Sequence, residues 1–83
     1  MIQSTPPRPD VLLDAVRFNA RLLEGCQLAI TELGGQVVRC TVIALGEHVP
    51  PDIFDDYLAR GLIQEMDHSC RFRISPDGRK RLR

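Results

Sequence analysis

Between Leu58 and Leu82, LARGLIQEMDHSCRFRISPDGRKRL, the spacing of apolar residues changes from that of a helix to that of a strand and back. No other stretch of the 83 residues restricts the fold as much. Leu58–Arg60 closes a helix, and Gly61 supplies the left-handed stop that a residue without Cβ adopts cheaply. Leu62–Asp67 and Cys70–Ser75 read as two strands, with Asp67-His68-Ser69 at the tip between them. In the second strand Cys70, Phe72 and Ile74 share one face, and Arg71, Arg73 and Ser75 the other. The alternation predicts that Leu62, Met66, Cys70, Phe72 and Ile74 are buried and that both arginines are exposed. Ser75-Pro76 then restarts a helix, with serine as N-cap and proline at the first helical position.

Helix end, Gly-Leu-Ile, basic hairpin and Ile-Ser-Pro-Asp-Gly-Arg together resemble the C-terminal half of winged helix-turn-helix domains of the MarR and PadR type. In that superfamily the wing follows a "GLI" and ends in a helix start of the form "[LI][ST]P-x-GR". The resemblance covers about thirty residues. It implies a single α+β domain, mostly α, in the order α-β-α-α-β-β-α. Its parts would be a helix-turn-helix over 41–60, a wing over 62–75 and a C-terminal helix over 76–83.

Upstream, residues 1–9 (MIQSTPPRP) hold three prolines without apolar periodicity, which predicts a loose arm. Asp10 can cap a helix running to Leu33, with Gly34-Gly35 as its stop. A helix over 10–33 would be about 36 Å long, more than so small a globule covers. Gly25 either bends it, or its first half packs on a second subunit. The resemblance favours the second reading, because winged-helix regulators commonly dimerise through such a helix. It gives a homodimer with Val11, Ala15, Phe18 and Leu22 at the interface. Gln36–Cys40 is β-rich and expected to pair with the wing. Thr41 caps a short helix to about His48, Val49-Pro50-Pro51 is the turn, and a third helix follows over Asp52–Arg60.

Charge sorts along the chain although its formal sum is zero. Residues 42–68 set Arg60 against Glu47, Asp52, Asp55, Asp56, Glu65 and Asp67, a net of −5. Residues 69–83 set six cations against Asp77, a net of +5. Arg71, Arg73, Arg79, Lys80 and Arg81, extended by Arg39, are the candidate DNA contacts, reaching phosphates from wing and tail. Helix three exposes Asp52, Asp55 and Asp56 in place of the Arg, Lys, Asn or Gln that read base edges. Major-groove docking through it is therefore disfavoured. Two functions follow: a small DNA-binding regulator holding the phosphate backbone, or an interaction module (adaptor or inhibitor) docking a protein on Asp52, Asp55 and Asp56 and on the exposed apolar stripe of helix one.

Other chemistries are poorly served. Asp67-His68-Ser69 holds the residue types of a hydrolase triad, but three consecutive turn residues cannot line up as nucleophile, base and orienting acid. Neither a catalytic residue nor an enzyme activity is expected. Cys26, Cys40 and Cys70 are odd in number, widely spaced, and without C-x-x-C or H-x-x-x-H companions, so neither a disulfide framework nor a metal site is expected. No cofactor motif is present. No apolar run approaches the roughly 20 residues of a membrane span, and Met1–Pro9 does not read as a signal peptide. The expected location is the cytoplasm.

Overall fold

A computed structural model describes residues 12–67 and 70–83. The expected arm over 1–9, Val11 and the hairpin-tip residues His68 and Ser69 lie outside the described residues. The elements run α1 (Ala15–Leu23), β1 (Leu28–Leu33), β2 (Gln36–Val42), β3 (Glu47–Val49), α2 (Pro51–Ala59), β4 (Ile63–Met66), β5 (Arg71–Ile74) and α3 (Pro76–Leu82). The strands form one antiparallel sheet in the order β3-β2-β1-β5-β4.

This architecture overturns the winged-helix expectation. It is an α+β fold with comparable helix and strand content, and the order α-β-α-α-β-β-α is not found. The long helix over 10–33 is two elements. Asp14, not Asp10, caps α1 by accepting from the Arg17 amide at 2.8 Å. Gly25, at φ +91°, ends it. The second half becomes β1, and Gly34-Gly35, at φ +60° and +82°, make the two-residue turn of a β1–β2 hairpin. The helix-turn-helix over 41–60 is absent as well. Thr41 and Val42 finish β2, residues 43–46 turn, and β3 follows, so α2 has no partner helix before it.

The segment that carried the resemblance does fold as helix end, hairpin and helix. In β4–β5, Ile63 faces Ile74 and Met66 faces Arg71. Ser75 caps α3 by accepting from the Gly78 amide at 2.8 Å. β5 pairs with β1, however, and not with the strand holding Arg39. Leu62, Ile63, Phe72 and Ile74 are buried, whereas Met66 is half-buried and Cys70 exposed. Cys70 sits outside β5 at φ +58°, which breaks the alternation that would have turned it inward.

All three helices contribute to one core on one face of the sheet. Leu13, Phe18 and Leu22 meet Leu28, Cys40, Val42, Val49, Phe54 and Tyr57 there. Two aromatic contacts tie the layers together: Phe54 meets Phe72 edge-on at 4.9 Å, and Phe18 meets Tyr57 at 4.8 Å. Arg21 of α1 holds Glu47 of β3 through two bonds of 2.7 and 3.1 Å. The amide of Leu13 donates to the His48 carbonyl at 2.9 Å, which partly covers the β3 edge of the sheet. The homodimer interface drawn on α1 fails at two of its residues. Phe18 and Leu22 are fully enclosed in their own core and have nothing to offer a second subunit, and of the rest Ala15 alone is described, exposed.

Candidate nucleic-acid interface

The face of the sheet opposite the helices is built by the residues that alternate with the core. Leu28, Cys40, Val42, Phe72 and Ile74 point to the helices, so Ala29, Thr31, Arg39, Thr41, Arg71 and Arg73 take the other side. Arg71 stands beside Ala29 and Arg39 beside Thr31. Arg39 is thus separated from β5 by β1 and shares the open face without touching the hairpin. Arg71 and Arg73, about 7 Å apart along one strand, are both exposed.

Arg73 also reaches the end of the sheet where α1 stops and α3 starts. There Arg73, Arg79, Lys80 and Arg83 line a cleft of about 550 Å³ with Gly25 and Gln64, and among the described residues no acidic side chain lines it. Arg79 donates to the Leu23 carbonyl at 3.4 Å, which fixes its stem against the end of α1. Among the described residues none of these four cations is in an ion pair. Arg81 points elsewhere: it pairs with Asp77 at 3.3 Å and donates to the Arg60 carbonyl at 3.1 Å. Of the six DNA-contact candidates, the structure gathers Arg73, Arg79 and Lys80 in the cleft. It leaves Arg71 and Arg39 on the adjoining sheet face and turns Arg81 towards α2. Arg83 joins the cleft; its place in the same basic run was the available signal.

The acidic candidates divide too. Asp56 binds Arg60 at 3.0 Å, and that guanidinium also lies 5.3 Å from the Tyr57 ring centre. Asp52 and Asp55 instead line a groove of about 530 Å³ between α2 and the β1–β2 turn, with Glu32, Val37, Pro51 and Leu58. Among the described residues no cation lines this groove. Glu32 could not be found from the sequence, because it reaches Asp52 and Asp55 only once β1 is a strand.

Elsewhere the titratable groups serve the fold. Burial pushes the Cys40 thiol up to about 12. The hydrogen bonds from Arg21 hold the Glu47 carboxyl below the usual carboxylate range, and Glu47 in turn raises Arg21. Burial raises the Tyr57 hydroxyl, which donates to Asn19. Among the described residues no three His, Cys, Asp or Glu side chains stand close enough to hold a metal ion. Among them, too, no helix is long and apolar enough to cross a membrane. No protein-family model, curated protein or solved structure matches this chain, so the residues alone carry its function.

Proposed function

We propose that this chain binds the phosphate backbone of nucleic acid, without reading its sequence, through the cationic end and open face of the sheet. One observation carries the reading: four cations, none of them in an ion pair among the described residues, converge on a cleft whose described lining has no acidic side chain. Phosphates that entered it would release counterions without breaking an ion pair. Arg71 and Arg39 extend the same charge along the sheet, which suits a repeating anion better than a single phosphate. Phe18, Phe54, Tyr57 and Phe72 are buried in the core, so no aromatic platform remains for stacking bases. Affinity then follows phosphate density, and duplex DNA should bind more tightly than a single strand.

Fluorescence anisotropy of a labelled duplex across a salt series tests this. Log K should fall against log[salt] by roughly 0.9 per phosphate contact. Changing Arg71 and Arg73 to Ala should flatten the slope by about two units. Changing Asp55 and Asp56 to Asn should leave binding unchanged or tighten it. A chain that ignores duplex DNA at low salt refutes the reading.

A second reading, docking of a protein, is supported by the groove itself. Glu32, Asp52 and Asp55 surround the apolar Val37, Pro51 and Leu58, and Leu58 is 40% exposed.

A further inference from the structure

The acidic groove and the cationic cleft lie at opposite ends of β1. The chain leaves the cleft at Gly25, enters β1 at Leu28 and, after the six residues of that strand, arrives at the turn that walls the groove. The two hollows are similar in volume, about 550 and 530 Å³, and among the described residues neither is lined by a charged side chain of the other's sign. We propose that the occupant of the acidic groove is the basic end of a second copy of this chain, so that copies associate head to tail along the strand direction. This inference rests on the protein-docking reading of the groove; it uses cleft cations that the nucleic-acid reading also uses, so it is tested without nucleic acid.

Side-chain chemistry supports this occupant. Lys80 and Arg83 are exposed on the last turn of α3 and its end. Their long stems can lie on Val37, Pro51 and Leu58 while their heads meet Glu32, Asp52 and Asp55. The formal charge of zero adds no net repulsion between copies. Because the two surfaces differ, the contact is heterologous: each copy placed on another leaves one groove and one cleft free, and the assembly grows or closes into a ring. A two-fold dimer would need one self-complementary patch, and these two ends are not alike.

Sedimentation velocity on the full chain without nucleic acid decides the matter. At low ionic strength the mass should exceed the 9.4 kDa of one copy and rise with concentration. It should return to the monomer in roughly 1 M salt, where the screening length is about 3 Å. One variant, Asp52→Asn with Asp55→Asn, loses the groove; another, Lys80→Gln with Arg83→Gln, loses the cleft. Each alone should be monomeric. Mixed, they should form a heterodimer that grows no further, because one intact groove meets one intact cleft. Circular dichroism checks that both remain folded; these four side chains are exposed, and a variant that unfolds is replaced by its single substitutions. A monomer at every salt concentration overturns the proposal, as does association indifferent to salt or a mixture that stays monomeric. An octalysine peptide separates the two levels. Binding that needs Asp52 and Asp55 in a chain that stays monomeric leaves the groove a docking site with another occupant. If that peptide does not bind either, the docking reading falls with the proposal.

Discussion

Gly78→Ala should destabilise the fold, against the ordinary helix rule. Gly78 lies inside α3, where replacing glycine by alanine normally gains about 1 kcal/mol. A Cβ at this position, however, would stand 2.1 Å from the Leu62 carbonyl oxygen and 2.8 Å from its carbon. Ordinary C···O contacts are about 3.3–3.6 Å, so α3 and the Gly61–Leu62 backbone must separate by more than about 1 Å. Two hydrogen bonds cross this boundary. The Ser75 amide donates to the Leu62 carbonyl at 2.9 Å, and the Ser75 hydroxyl donates to the Gly61 carbonyl at 2.6 Å. Losing both costs about 2 kcal/mol, and the gap opened beside Leu62 and Leu82 adds about 1–2 more. The net loss, after the propensity gain, is about 2–3 kcal/mol, from a total of about 4–12 for a chain this size. With a urea m-value near 1 kcal/mol/M, the midpoint should fall by about 2–3 M. Lys80→Ala, exposed on the same helix, should stay within about 0.5 kcal/mol and is the control. A Gly78→Ala midpoint equal to or above that of the parent chain refutes the close approach of α3 to Leu62.

Phe72→Ala removes a side chain that is 6% exposed and its edge contact with Phe54; thermal melts should show a loss of about 3–5 kcal/mol. Under native conditions a thiol reagent should modify exposed Cys70 rapidly and leave buried Cys40 untouched until the chain unfolds. The folded Cys40 thiol is raised from 9.0 to about 12, so its contribution is intact below about pH 9. Stability should then decline towards pH 12 at up to about 1.4 kcal/mol per pH unit, and Cys40→Ala should flatten this alkaline slope. Glu47 is shifted the other way: its stabilising effect is present above the ordinary carboxylate range and lost as pH falls through its lowered value. Glu47→Gln should weaken the acid dependence of a urea titration.

The β4–β5 hairpin and the starts of α2 and α3 were legible because one template alone described each of them. Phe72 and Ile74 alternate with Arg71 and Arg73, which no helix could place on separate faces, and Pro51 and Ser75-Pro76 mark helix starts by their backbone chemistry. Leu28–Leu33 satisfied two templates. Cys26, Ile30 and Leu33 continue a helical stripe from α1, while Leu28 and Ile30 alternate with Ala29 and Thr31 as a strand. Tertiary pairing decided between them: the six residues find partners on β2 and the first two also on β5, and no helix could use that sheet. The hint was Gly34-Gly35 between two β-branched runs, a hairpin signal that also passes for a helix stop. Val42–His48 misled in the same way, with Gly46 at φ +68° closing a turn where a short helix was expected. The charged candidates were legible by type, but their grouping was not. Arg81 and Lys80 are neighbours in the chain, yet the helix sends one to Asp77 and α2 and the other to the cleft.

The separation of charge in space follows from how the chain is threaded. α2 starts beside the β1–β2 turn, because β3 runs back along β2 from Glu47 to Val49 and delivers Pro51 to that end. Asp52 and Asp55, in the first half of the helix, therefore stay there, where they also meet favourable backbone dipoles. The helix then carries the chain to the other end, where Gly61 and Leu62 receive Ser75. β4 and β5 make a closed excursion that begins and finishes there, as the pairing of Ile63 with Ile74 requires. Every cation after Ile74 must then lie near the far end of the sheet, whatever its own preference. Asp52 and Asp55 on one side and the cations after Ile74 on the other become two poles because one helix separates their starting points and one hairpin returns to where it began.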